Sequence, residues 1–361
     1  MRRAPLSQEG ARGALLSASY DLADFDIARA AGPRRVIRGE ALKGDITLDS
    51  GHTTFENCLI EGGGHGIHVT GDASLTVKSC EIRNVTMSGV HVTSTGRVQV
   101  VHSHIHHCGE NGVRAVPPGA RNTRMGTRLL VKGCDIHDIA APGGDGPTGN
   151  CIFASRSDNA QFIGNRCVRA TYSAIRVADS ANVSMIGNYC DTHSNDAHVY
   201  YEFSFYGGIV AYNYFTNGLG GLAITNFLSG VGGHRYDGRQ ATVIGNRFTN
   251  YRTFAAKAEA DALFAHNVID GSATWGVWAG FGASVRNVQL TDNLIMNCRW
   301  GVGLPIMKTS PVEVRGNTFV NVDTPIAGLV PDWDVIAERR AAQPLSPQAT
   351  HIIKDNLVSA N

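Results

Sequence analysis

Asparagine returns along this chain at a nearly constant interval, in IGNRC, IGNYC, AYNYF, IGNRF, AHNVI, TDNLI, RGNTF and KDNLV, at Asn165, Asn188, Asn213, Asn246, Asn267, Asn293, Asn317 and Asn356. Upstream, Cys58, Cys80, Ser103 and Cys134 hold the same slot in ENCLI, KSCEI, VHSHI and KGCDI. Two residues after each slot stands an apolar residue, from Ile60 to Val358. The commonest interval is 21 to 26 residues, and a second strand pattern such as GIHVT or AIRVA follows about ten residues past the slot.

A period of that length, built from short alternating strands with glycine and asparagine turns, predicts a parallel β-helix, right-handed, of about twelve coils. One coil cannot bury its apolar face alone, so coils stack at ~4.8 Å and equivalent residues form ladders. The slot then reads as an interior ladder of side-chain amides, with the cysteines as buried reduced thiols. Leucine-rich and propeller repeats fit less well, because neither consensus is present. Residues 1–45 precede the repeat and are expected to cap it, since an open end would expose strand edges; residues 46–361 form the β-helix domain. Four coils run long, and their excess, at 117–128, 141–149, 228–239 and 331–344, marks loops; the last reads as a short amphipathic helix.

With 361 residues, 43% hydrophobic and 17% charged, the chain can bury a large core. A net charge of +1 gives no overall field for nucleic acid or an anionic membrane surface. There is no apolar run long enough for a membrane span and no readable export signal. The eight cysteines lack CxxC spacing, so neither a zinc site nor a disulfide framework is expected, and no cofactor is. VHSHIHHC looks like a metal cluster, but strand alternation sends its histidines to different faces and predicts no metal site there.

Counting about eleven residues past each slot gives an outward stripe of His68, His91, Arg114, Phe153, Arg176, Val199, Ile224, Lys257 and Trp278. Beside it, two or three residues on, run Ser155 and Arg156, Asp179, Tyr201 and Glu202, Asn226, then Glu259 and Asp261. Arg156 and Asp179 can simply neutralise each other on the surface. In YYEFSFYGG, Glu202 sits among five aromatics, which could stack sugars and disfavour its charged form. The loops at 117–128 and 228–239 follow the stripe and carry Arg121, Arg124, Arg128, His234, Arg235 and Arg239, so they are expected to wall a cleft.

From about residue 149 to 317, the stretches GNCIFASRSDN, YSAIRVADSAN, YYEFSFYGGIVAYN, LAITNF, AKAEAD and GVWAGFGASVRNVQLTDN resemble the twin-arginine-translocated repeat proteins. The resemblance implies a right-handed parallel β-helix, a secreted or periplasmic location, and a site at Asn150, Arg156, Arg176, Glu202, Asn226, Glu259 and Asp261. It implies no particular reaction.

A shallow ladder-lined groove suits a polysaccharide or oligosaccharide partner. The first reading is an inverting glycoside hydrolase. Glu202 and Glu259 lie two coils apart, ~9 to 10 Å along the stack, near the ~6.5 to 9.5 Å that an acid and a base need to admit a water. Glu202 would be the acid, Glu259 or Asp261 the base and Asn226 a hydroxyl-binding amide, with Arg114, Trp278, His234 and Arg235 as sugar contacts. The second reading is a uronate lyase or C5-epimerase, in which Arg156 and Arg176 neutralise the substrate carboxylate and Lys257 or Tyr201 is the base. The third is a non-catalytic glycan-binding or spike-like module. No nucleic-acid or membrane partner is expected, and self-association stays open.

Overall fold

The computed structural model describes residues 32–118, 127–141, 146–192, 197–203, 206–225, 240–280, 285–306, 311–329, 344 and 351–359. Every described strand pairs in parallel with its counterpart one coil away, which makes the chain a parallel β-helix. A typical coil has three strands, as in Gln161–Ile163, Arg166–Ala170 and Ser173–Ala178. The first strands of successive coils form one sheet of 13, while the second and third strands share the other sheet. The solenoid begins at Arg34–Arg38, which pairs with His52–Glu56. That is ahead of the expected boundary at residue 46, because this opening coil lacks a readable slot. Of the cap expected at 1–45 and the loops expected at 117–128, 141–149, 228–239 and 331–344, residues 1–31, 119–126, 142–145, 228–239 and 331–343 lie outside the described residues.

The slot works as the sequence suggests. The Oδ1 of Asn213 accepts the backbone N–H of Asn188 at 2.8 Å and its Nδ2 at 3.0 Å, while Asn213 Nδ2 donates to the Met185 carbonyl and to Asn246 Oδ1. The same pattern repeats from Asn165 to Asn356. Upstream the thiols take over part of it: Cys58 N–H donates to Cys80 Sγ at 3.4 Å, and Cys80 N–H to Ser103 Oγ at 3.2 Å. The residue before the slot is left-handed, as at Gly164, Gly187 and Gly245 with φ of 61°, 66° and 65°, which accounts for the recurring Gly-Asn pair.

Alternation places the apolar set inside. Ile82, Ile105, Ile136, Cys167, Cys190, Phe215, Phe248, Ile269, Ile295 and Phe319 stack in register and are buried, each large side chain contributing about 1.5–3 kcal/mol. All eight cysteines are free and buried. A second apolar cluster, with Tyr200, Phe254, Trp275, Trp278 and Trp300 at its centre, forms on the third strands of the C-terminal coils.

Candidate functional site

The register of the third strands reads His68, His91, Arg114, Phe153, Arg176, Tyr200, Ala223, Lys257 and Trp278. Val199 and Ile224, expected in this stripe, point into the core instead. The register accounts for it: Tyr200 stands twelve residues past Asn188, and Ala223 only ten past Asn213, where the pairing shifts between Gly218 and Gly220. Two residues on, Ala178, Glu202 and Thr225 align, with Ala258 opposite Ile224 bringing Glu259 next in line.

Arg176 is the centre of this site. Its Nε donates to Glu202 Oε1 at 2.5 Å, and its guanidinium lies over the rings of Tyr172 and Tyr200, 5.1 and 5.2 Å from their centroids. The two rings stack at 6.0 Å with a 13° tilt. Burial works against the Arg176 charge, but Glu202 first and the two tyrosines with it outweigh that, and its pKa lies above the ordinary arginine value. Its Nη1 is buried without a hydrogen-bond acceptor among the described residues. Gly146, at φ 65°, permits this packing, since a Cβ there would stand 2.4 Å from Nη1.

Lys257 continues the ladder, its Nζ 5.1 Å from the Phe254 centroid and 6.0 Å from that of Tyr200. Glu202 is 3% exposed and Glu259 fully buried. Between them stands Thr225, whose buried hydroxyl has no partner among the described residues. Asn226, expected in that place, lies outside the described residues with His234 and Arg235. Cation, ring and carboxylate thus alternate over four coils.

Other expectations are corrected. Tyr201 is 1% exposed and belongs to the interior, its hydroxyl donating to the Ser180 carbonyl at 3.0 Å, so it is no surface base. Trp278 is fully buried against Phe254 rather than offered to a sugar. Asp261 lies past the turn, on a first strand, held by Arg286 at 2.9 Å and Asn287 at 2.8 Å, so it is engaged away from the groove ladder. Arg128 is exposed opposite Arg97 on the first-strand sheet and does not wall the groove. Arg156 occupies the turn after Asn150–Ser155, where its Nη2 donates to the Pro117 carbonyl at 2.6 Å. Glu202 has the Arg176 guanidinium as its ion-pair partner, and a cation at that distance favours a carboxylate over a carboxylic acid.

Tyr172 and Thr225 were not singled out from the sequence. Tyr172 is readable in hindsight as the residue four before Arg176, a spacing the slot count passes over. The N-terminal end of the stripe is also richer than expected: His65, His68 and His91 pack ring to ring, and Arg114 Nη1 meets His91 Nε2 at 2.6 Å. Burial first, and the Arg114 charge next, push the His91 pKa down to about 3. Nor are the histidines of VHSHIHHC dispersed. His104 and His106 stand two apart on one strand and so share a face, and with His107, at a left-handed φ of 53°, they gather with His137 of the next coil.

Comparison with known proteins matches this arrangement to one architecture. Residues 46–217 and 131–330 match the family model described as right handed beta helix region. Among solved structures, the periplasmic alginate epimerase AlgG is similar with a TM-score of 0.64 at 10% identity, over 90% of this chain and 78% of that one. A tailspike protein of E. coli bacteriophage HK620 is similar with a TM-score of 0.52 at 12% identity, over 91% of this chain and 60% of that one. At these identities the likeness is one of fold. The chain belongs to the right-handed β-helix family.

Proposed function

We propose that this protein is carbohydrate-active, and that it acts on a uronate-containing polysaccharide by exchanging the proton beside the uronate carboxyl group, with elimination or epimerisation as the outcome. The observation that carries the reading is the buried Arg176–Glu202 pair. Hydrolysis needs a protonated carboxyl group at Glu202, and the guanidinium beside it favours the ionised one. Elimination and epimerisation need a cation to hold the substrate carboxylate while negative charge develops. Arg176, with Nη1 still lacking an acceptor among the described residues, suits that task. Glu202 and the flanking tyrosines then fix the guanidinium, and Lys257 handles the proton from three coils beyond Arg176, since Tyr201 is turned inward. The name of one similar structure, an alginate epimerase, agrees with this chemistry. Kinship with the twin-arginine-translocated repeat proteins, and a secreted or periplasmic location, belong to the same proposal.

The test is incubation with uronate-containing and neutral polysaccharides in heavy water. Deuterium entering at the uronate C5, or an unsaturated uronyl product, supports the reading, and Lys257→Ala should slow that exchange by about 10²- to 10⁴-fold. New reducing ends without unsaturation, abolished by Glu202→Gln and kept in Lys257→Ala, would establish hydrolysis instead. Glycan binding with neither product would mark a binding module.

A further inference from the structure

Outside the groove, on the second strands of neighbouring coils, His104 faces Asp135 and His106 faces His137 in register. The Nε2 atoms of His104 and His137 point at each other across 2.6 Å. One ligand atom from each of His104, Asp135 and His137 falls within 4.8 Å of the others. We infer that His104, His137 and Asp135 form a binding site for a divalent transition-metal ion of the zinc or nickel kind.

Three features carry this. The donors are two imidazoles and a carboxylate, a set that suits zinc, nickel or cobalt and not the oxygen-only shells of calcium or magnesium. The His137 ring is held by its other nitrogen: Nδ1 lies 2.6 Å from Asp138 Oδ2, which frees Nε2 for the ion. A carboxylate behind a ligating histidine is the usual way such rings are oriented and made more basic. Asp138 is itself fixed by Arg169, with bonds of 2.5 and 2.8 Å, so the support is rigid. Asp135 gives one oxygen to Arg166, at 2.8 Å, and among the described residues no bond takes the other.

The fit asks for little movement. Two imidazoles on a tetrahedral ion at ~2.0–2.1 Å stand roughly 3.3 Å apart, so the two nitrogens, now at 2.6 Å, must part by about 0.7 Å. Both side chains lie outside the core and can give that much. A third imidazole, His106, forms a second set with Glu81 that shares His104, and it meets Glu81 through Nε2 at 3.1 Å. That bond occupies the His106 nitrogen, so the site centres on the His104 and His137 side.

The experiment uses tag-free, chelator-treated protein titrated calorimetrically with zinc and, separately, with calcium. The expected result is saturable zinc binding near one ion per chain and none with calcium. His104→Ala and His137→Ala should abolish it, Asp138→Asn should weaken it by about 10- to 100-fold, and His106→Ala should leave it in place. On the unmodified protein, the imidazole resonances of His104 and His137 should shift with zinc while those of His52 and His351 stay, a readout independent of whether any variant folds. Zinc uptake no greater than that of the His104→Ala/His137→Ala double variant would overturn the proposal. So would equal calcium binding, or loss through His106→Ala with His137→Ala unaffected.

Discussion

Two buried polar ladders run along this solenoid, and they are built on opposite principles. In the slot ladder one residue type repeats, and each amide closes on the next: Asn188 gives both donors to Asn213, which gives both to Asn246. In the groove ladder the residue changes at every coil, from Arg176 to Tyr200, Ala223, Lys257 and Trp278, and Arg176 keeps an Nη1 without an acceptor among the described residues. Repetition lets a buried polar stack satisfy itself at low cost. Variation gives that up, and a stack that leaves donors over is shaped for something that brings acceptors.

The comparison breaks most visibly at the slot. Asn213→Leu orphans the Asn188 N–H and the Met185 carbonyl and leaves Asn246 Oδ1 short of a donor, at about 1–3 kcal/mol for each unsatisfied group. A sum of that size takes a large share of a typical net stability of ~5–15 kcal/mol. Denaturant unfolding should show it as a large loss, with the exposed groove chemistry otherwise unchanged. A midpoint unchanged within error would mean that the amides are not what holds the coils in register.

The groove ladder should answer differently. Arg176→Met takes the guanidinium away from a buried carboxylate, and breaking a buried pair in this way costs about 3–5 kcal/mol. Removing both, in Arg176→Met/Glu202→Leu, should restore most of that stability, because buried pairs are often replaceable by apolar residues of similar size. Glycan binding or turnover should stay lost in the double variant. If the double variant melts as low as the single one, the groove ladder is structural and its difference from the slot disappears.

A pH series sharpens the same contrast at the N-terminal end of the stripe. His91 is held below its ordinary 6.5, at about 3, by burial and by Arg114. The folded state therefore keeps this imidazole neutral between pH 6.5 and 3, where the unfolded chain protonates it. The unfolded state binds more protons in that window, so the His91 contribution is fully present above about pH 6.5 and is lost progressively as pH falls toward 3. The difference in melting temperature between the protein and His91→Gln should shrink or reverse across that window. A difference constant with pH would mean that His91 titrates alike in both states.

How much of this was legible follows from what periodicity can carry. The slot and its apolar partner two residues on repeat without a break, so coil number and the Asn ladder were readable to within the unmarked first coil at Arg34–Arg38. Glu202, Arg176 and Lys257 were readable as candidates because they fall in the outward half of an alternating strand. Their roles were not. One extra residue in the interval after Asn188 exchanged Val199 for Tyr200 in the stripe, and the same strand places Tyr201 inside. The Arg176–Glu202 bond is a contact between coils, and no spacing within one coil announces it. His104 and His137 were missed for the same reason: they stand 33 residues apart, and their meeting depends on the register between two coils.

The smallest expected effect tests whether the slot comparison holds inside the slot itself. The first four places of the ladder are Cys58, Cys80, Ser103 and Cys134, and thiols are poor at both halves of the job. Cys134 Sγ already points at the Val100 carbonyl at 3.3 Å, which is where an Asn Nδ2 goes in every later coil: Asn165 reaches Val131 and Asn188 reaches Phe162, each at 2.9 Å. Its backbone N–H already donates to Asn165 Oδ1 at 3.0 Å, so the rung below is in place. Cys134→Asn should therefore extend the ladder by one amide, replacing weak sulfur contacts with ordinary hydrogen bonds and raising stability by about 0.5–1.5 kcal/mol. Chemical unfolding of the variant beside Cys134→Ser separates an amide effect from mere removal of sulfur. A clear loss of stability in Cys134→Asn would show that the N-terminal coils are spaced for a thiol, so that cysteine there is a geometric requirement of those coils and not a weaker version of the same ladder.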